Sequence, residues 1–339
     1  QIYDMAYKLI GFQEFILFNL TGCFATDKTF ANRTGLFDIS TQEWSKELID
    51  VYGVDKNKLC KIVEVGDTIG KTTQKITQIL GVENSIDVIS SGGDQQCASV
   101  GLGCLDVGDI EVNSGTGSFI IGVSDKPVFD EKMRVNCNIS SIQGKWIVEG
   151  SVLSAGRAVD YINDLMFKDE SEKHSYENIN KFAALSPKGA RGLRIIPHFA
   201  GSGTPDWDSS AKAEIKNLSF ANKKEDFARG IFEGIAIEME NCIEIVAQII
   251  GKENEAISVA GGLTKSQTYN EIQADVYGKR TLVSSNCEAT GIGAFIVASV
   301  KIGLFKSYRE AFNSATKQDV INAYEPDLVA NQMYKKIFK

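Results

Sequence analysis

Two glycines and an acidic residue, Gly92-Gly93-Asp94, are followed by a second glycine-rich stretch, Gly115-Thr116-Gly117-Ser118, with no lysine between them. Asp94 has two readings. It is a helix N-cap, a frequent place for Asp at a strand-to-helix turn. Or it is a general base at the carboxyl end of a strand, where open α/β sheets hold their ligands, and the glycines let a ligand approach the backbone closely. The second stretch is either a hairpin turn between "IEVN" and "SFIIGV" or a phosphate loop. In the latter, consecutive amides and the Thr116 hydroxyl hold phosphate oxygens. It is not G-x-x-x-x-G-K-[ST], so P-loop chemistry is not implied. A third stretch, "SVAGGLTKS" (258–266), reads as strand, glycines and helix start. It provides either tight helix–sheet packing or bare backbone for a nucleotide base or ribose at the helix N-terminus. Lys265 and Ser266 do not complete a P-loop either.

The elements that position these groups are visible as patterns. Residues 5–21 read as a helix stopped by Gly22. Ser40 and Glu43 form a capping-box pattern before "EWSKELIDVYG", a helix ending at Gly53, and another helix at 71–80 stops at Gly81. "IDVIS" (86–90) reads as a short buried strand feeding Asp94 and the small-residue helix "QQCASVGLG". "IEVN", "SFIIGV", "RVNCNIS" and "KWIVEG" read as four strands with turns between them. Further elements are a helix over 151–166, a strand at 193–199, and a long helix at 225–250 capped by Asn222 and Glu225. The strand "AISVA", a helix to 277, a short strand and a helix at 289–302 complete the pattern. Alternating strands and helices mean α/β, with a mostly parallel sheet late in the chain and a mixed sheet before it. A boundary falls near 104–109.

The 339 residues are 43% hydrophobic and 24% charged, ordinary for a chain that buries a large core. The net charge is −8 with no basic cluster, so neither nucleic acid nor an anionic membrane is expected as a main partner. Seven cysteines, an odd count with no C-x-x-C, fit reduced thiols in a cytoplasmic protein. The opening "QIYDMAYKLIGF" has no start methionine and is already amphipathic, so it reads as the interior of a longer chain. His174 lies in a polar run and reads as solvated. His198 ends a strand and reads as structural. Trp44, Trp146 and Trp207 read as core or interface.

Six separated blocks, "GGDQQCASVGLG", "GDIEVNSGTGSF", "WIVEGSVLSAG", "IPHFAGSGTPDWD", "VAGGLTKSQTYNEIQADVYG" and "EATGIGAFIVA", resemble in order the FGGY carbohydrate kinases, the xylulokinase and glycerol kinase group. The resemblance implies an actin-like ATPase (ribonuclease H-like) α/β fold of two domains. Residues 1–104 would be the C-terminal part of the first, sugar-binding domain, and 105–339 the second, nucleotide-binding domain. It implies Asp94 as catalytic base and Gln95 as a neighbour touching the sugar. Thr116 and Gly117 would lie at the ATP phosphates, Gly156 and Asp160 near the nucleotide, and Gly262, Leu263 and Ser266 on the adenosine side. The implied reaction is ATP-dependent phosphorylation of a sugar or polyol hydroxyl, a ketose such as a pentulose first among the acceptors. Magnesium, backbone amides and a helix end would neutralise charge in place of a P-loop lysine. The metal-binding residues and the oligomeric state are left open, a homodimer being compatible.

Two departures stand out. The family's opening strand–turn–strand with its acidic D-x-G-T motif is absent, so the first domain is expected to be incomplete. Ala211-Lys212-Ala213 stands where the family shows Arg-Gly after "WD". The alternative reading is a non-catalytic, kinase-like protein that binds nucleotide or a partner without phosphoryl transfer.

Overall fold

The computed structural model describes residues 2–167, 177–252, 255–284, 288–317, 319 and 321–337. His174 and Cys287 lie outside the described residues, as does most of the polar run around His174.

The first part of the chain holds α1 (Ile2–Met5), α2 (Phe12–Thr21), β1 (Ala25–Asp27), α3 (Lys28–Asn32), β2 (Phe37–Asp38), β3 (Glu43–Trp44) and α4 (Lys46–Tyr52). It continues with β4 (Lys61–Val63), β5 (Thr68–Lys71), α5 (Gln74–Ile79), β6 (Asp87–Ile89) and α6 (Asp94–Gly101). Its strands pair only in twos: β1 with β4 in parallel, β2 with β3 and β5 with β6 antiparallel.

Four local expectations change here. The helix expected over 5–21 is broken and its long part starts at Phe12. The cap before the next helix is Ser45, whose hydroxyl accepts from Leu48 N, because Glu43 and Trp44 are taken into a hairpin with Phe37 and Asp38. The helix expected from 71 starts at Gln74 behind its cap, Thr73. Finally, β6 is not buried: it pairs with β5 alone, so Asp87 is exposed and Val88 and Ile89 half-buried.

The second part begins with β7 (Ile110–Ser114), β8 (Ser118–Ser124), β9 (Asn136–Ile139), β10 (Trp146–Val152), α7 (Gly156–Met166) and α8 (Glu177–Leu185). Then come β11 (Arg194–Ile196), β12 (Glu214–Lys216), α9 (Lys224–Ile250), β13 (Ala256–Gly261), α10 (Gln267–Tyr277) and β14 (Arg280–Ser284). It ends with α11 (Ala289–Lys301), α12 (Tyr308–Ala315), β15 (Ile321–Tyr324) and α13 (Leu328–Ile337). Seven strands form one sheet in the order β15-β14-β13-β7-β8-β10-β9. The run β14–β13–β7 is parallel and the other pairs are antiparallel, so the sheet is mixed as expected.

Side chains alternate across this sheet. Val112, Ile120 and Val148 face α9, whose Ile231, Ile235, Met239, Ile243 and Val246 supply the opposing stripe. Gly122 lies on the same face, with Val246 and Ile250 of α9 at its backbone. The cap of α9 is not Asn222 with Glu225. The carboxylate of Asp226 accepts from Lys223 N at 2.8 Å, while Asn222 accepts from Ser219. A second cluster, Val100, Leu105, Ile142, Ile296, Val297 and Ala311, gathers α6, α11 and α12. There α6 and α11 cross with backbone against backbone. A Cβ on Gly101 would overlap the Ala289 carbonyl, and one on Gly293 the Cys97 carbonyl.

The six described cysteines are free. His198 Nε2 lies 3.0 Å from Glu238 Oε2, in keeping with a structural role. Trp207 is 42% exposed rather than core, its indole donating to Arg134 O at 3.0 Å. No described helix is long and apolar enough to cross a membrane.

Candidate active site

The β7–β8 hairpin, the start of α7 and the β13–α10 turn meet around a cavity of about 280 Å³. Thr116, Gly156, Asp160, Gly262, Leu263 and Ser266 all line it. Residues picked from three distant blocks of sequence therefore share one wall.

Backbone hydrogen bonds dock the hairpin onto α7. Ala155 N and Arg157 N donate to Thr116 O at 3.0 and 3.2 Å, and Gly156 N donates to Gly115 O at 3.0 Å. These amides are the orphan donors of the helix start. They are consumed by the hairpin, so α7 is not the helix end that neutralises charge. Gly156 is bare for the same reason: a Cβ there would stand 2.6 Å from Gly115 O. Gly117 does not line the cavity. A Cβ on it would come within 2.7 Å of Val152 O, so this glycine packs the hairpin onto β10. The Thr116 hydroxyl is exposed at the turn, so "NSGTGS" is both a hairpin turn and a loop presenting a donor.

The glycine pair of the third block divides its two roles. Gly261 has φ +98°, and a Cβ on it would overlap the backbone of Ser114. Gly262 is unlike it: a Cβ would meet nothing within 4 Å, and its φ is not in the left-handed region. Packing explains the first glycine and leaves the second facing open cavity. Ser266 caps α10, accepting from Tyr269 N at 3.2 Å, and Leu263 is buried beneath the turn.

Sequence reasoning missed four contributors to this wall: Arg157, Asn180, Phe232 and Lys265. Asn180, on α8, has a buried Oδ1 with no partner. Buried amide oxygens are rarely left so, and this one lies in the wall of a cavity that has room for a donor. No motif marks Asn180. Lys265, passed over because it completes no P-loop, also borders a second cavity of about 500 Å³ that shares Gly262.

Asp94 and Gln95 do not line the first cavity. They open α6, and Ala98, one turn further on, lines the second cavity. Thr290 Oγ1, which also lines that cavity, donates to Asp94 O at 3.4 Å. The N-cap of α6 is Gly93, with no side-chain cap. Asp94 is the first helical residue, so the N-cap reading of its carboxylate fails. That carboxylate is exposed and accepts from Gln95 N at 2.8 Å. Among the described residues no three His, Cys, Asp or Glu side chains converge on one point, so none of them forms a metal cage.

Residues 1–101 match the N-terminal domain of the FGGY family of carbohydrate kinases, and residues 111–302 match its C-terminal domain. The chain belongs to this family. It is 29% identical over 304 residues to a glycerol kinase of Mycoplasmoides gallisepticum, covering 87% of this chain and 58% of that protein. It is 26% identical over 326 residues to a xylulose kinase of Bacillus subtilis, covering 96% of this chain and 64% of that one. The crystal structure of ligand-bound xylulose kinase from Lactobacillus acidophilus superposes with a TM-score of 0.89 at 24% identity, over 98% of this chain and 66% of that one. The fold is thus the actin-like ATPase α/β architecture expected from the sequence. The chain spans roughly three-fifths of the length of the curated relatives it matches.

Proposed function

We propose that these residues serve an ATP-dependent kinase that phosphorylates a hydroxyl of a sugar or polyol, a ketose such as a pentulose being the favoured acceptor. The observation that carries this reading is the bare wall at Gly262, a glycine that neither packing nor backbone conformation demands, facing the cavity beside Thr116. An adenosine lies naturally on such a wall, with its phosphates running toward the hairpin. The unpartnered Oδ1 of Asn180 would accept from an exocyclic amine or a ribose hydroxyl.

In this reading Asp94 takes the proton from the acceptor hydroxyl as its oxygen attacks the γ-phosphorus, and ADP leaves. Little covalent chemistry falls to the protein, so positioning and charge stabilisation dominate. Magnesium would supply the neutralising charge, and no described residue is assigned to it. Gln95 would touch the acceptor. Glycerol, named in one relative, and xylulose, named in another, are both polyhydroxylated neutral acceptors.

The test is Asp94→Asn in the full-length protein, read by coupled ADP release across ketoses and polyols. Loss of a general base costs on the order of 10²–10⁴-fold in rate, with nucleotide binding unchanged. A variant as active as the parent removes Asp94 from the reaction. A parent protein that binds nucleotide and turns over no acceptor favours the non-catalytic alternative.

A further inference from the structure

The loop that delivers Asp94 is tied at both ends to one carboxylate that lies outside either cavity. Asp27, at the end of β1, is fully buried. Its Oδ1 accepts from Thr29 N at 2.9 Å, from Phe30 N at 3.3 Å and from the Thr29 hydroxyl. Its Oδ2 accepts from Gln13 Nε2 at 3.0 Å and from the Ser90 hydroxyl. Ser90 begins the loop Ser90-Ser91-Gly92-Gly93. At the loop's other end, Gly93 N donates to Thr29 Oγ1 at 2.9 Å.

The direction of these bonds follows from chemistry. The Thr29 and Ser90 hydroxyls donate to Asp27, and a hydroxyl that donates keeps its lone pairs to accept, so Thr29 Oγ1 is left to take the Gly93 amide. Capping the five-residue α3 explains Oδ1 and the two amides. It does not explain why Oδ2 faces Ser90, or why the Thr29 hydroxyl reaches Gly93, 64 residues away.

We infer that Asp27, acting through Thr29 and Ser90, is a positioning residue that aims the Asp94 carboxylate. The inference rests on the reading of Asp94 as base. Backbone bonds of Ser90 with Gly66 and Asp67, and the Cys97 thiol on Ser91 O, hold the first half of the loop, whereas the Gly93 amide is taken by the Thr29 hydroxyl. Gly92 has φ +104° and its backbone abuts Ser141, while that of Gly93 abuts Gln96. Among the described residues the Asp94 carboxylate is bonded to its neighbour's amide alone. Its direction therefore follows the backbone at Gly93, which the Thr29 hydroxyl holds. A misplacement of about 1 Å can cost on the order of 10²-fold in rate.

The experiment uses the full-length protein and compares Thr29→Val, Thr29→Ser and Asp94→Asn. Sugar-dependent ADP release, nucleotide KM, Tm and hydrogen exchange at the Gly93 amide are measured for each. Thr29→Val should lower kcat by roughly 10–100-fold, leave nucleotide KM unchanged and speed Gly93 exchange. Thr29→Ser keeps the hydroxyl and should restore all three. Should Thr29→Val not fold, Ser90→Ala cuts the other tie and should give the same split of kcat from KM. A Thr29→Val enzyme at the parent's kcat, with Asp94→Asn inactive, overturns this inference alone. Equal losses in Val and Ser variants overturn it too, since side-chain volume rather than the hydroxyl would then matter. An active Asp94→Asn enzyme overturns the base reading, and the inference with it.

Discussion

Gly261 and Ser114 are in backbone contact: any Cβ on the glycine would overlap the Ser114 peptide, whereas the next residue, Gly262, has open space where its side chain would be. Gly261→Ala combines a left-handed φ with a collision against backbone, and should cost stability beyond the ~1 kcal/mol scale of an ordinary substitution. Gly262→Val should leave Tm near the parent's and abolish most adenine-nucleotide binding while sparing the acceptor. Calorimetry with ADP and a thermal melt on both variants check this. Equal loss of nucleotide and acceptor binding by Gly262→Val, with a lowered Tm, would return Gly262 to a packing role.

Asn180→Leu removes a buried acceptor that has no partner in the free chain. Stability should hold or rise, since an unsatisfied polar group is replaced by an apolar one. Nucleotide affinity should fall by about 5–10-fold, the worth of one hydrogen bond of about 1 kcal/mol. Titration with ATP and with a nucleotide lacking the exocyclic amine separates base from ribose. An unchanged Kd for both nucleotides sinks the assignment.

Glu111 and Glu149 flank Ile121 on the face of the sheet away from α9. Both Glu111 oxygens are buried without a partner. Burial, and then the charge of Glu149, push the Glu111 carboxyl up to about 8. The sign follows. A folded-state value above the unfolded one means the folded chain binds the extra proton. That contribution to stability is full below about pH 4.5, the unfolded value, and is lost as pH rises through about 8. Glu111→Met should therefore flatten the fall of Tm between pH 5 and 9 and raise Tm most at the alkaline end. Parallel Tm profiles for parent and variant would contradict it.

How much of this was legible depends on what carries each feature. Helix ends at Gly22 and Gly53 were readable because both glycines adopt the left-handed conformation that closes a helix. Helix starts were less so. Ser40 and Ser45 both precede helix-like sequence, and only the pairing of Phe37 with Trp44 decides between them. The glycine blocks were readable as blocks, since close approach requires glycine whatever the partner. Which of Gly261 and Gly262 packs, and which is left bare, depends on where Ser114 falls across the sheet. Asn180 was illegible for a different reason. Its place in the wall comes from the packing of α8 beside α9, and no local pattern records that.

The crossing of α6 and α11 bears on how the chain is made. Thr290 and Asp94, which meet at the head of that crossing, are 196 residues apart. Synthesis at about 5–20 residues per second leaves the helix that opens with Asp94 exposed for on the order of 10–40 s before its partner emerges. Contacts of such separation also fold slowly. A chain halted before α11 would present the glycine face of α6, with Val100 beside it, to solvent or to a chaperone. The segment that opens with the proposed base would thus be among the last parts of the nascent protein to become secure.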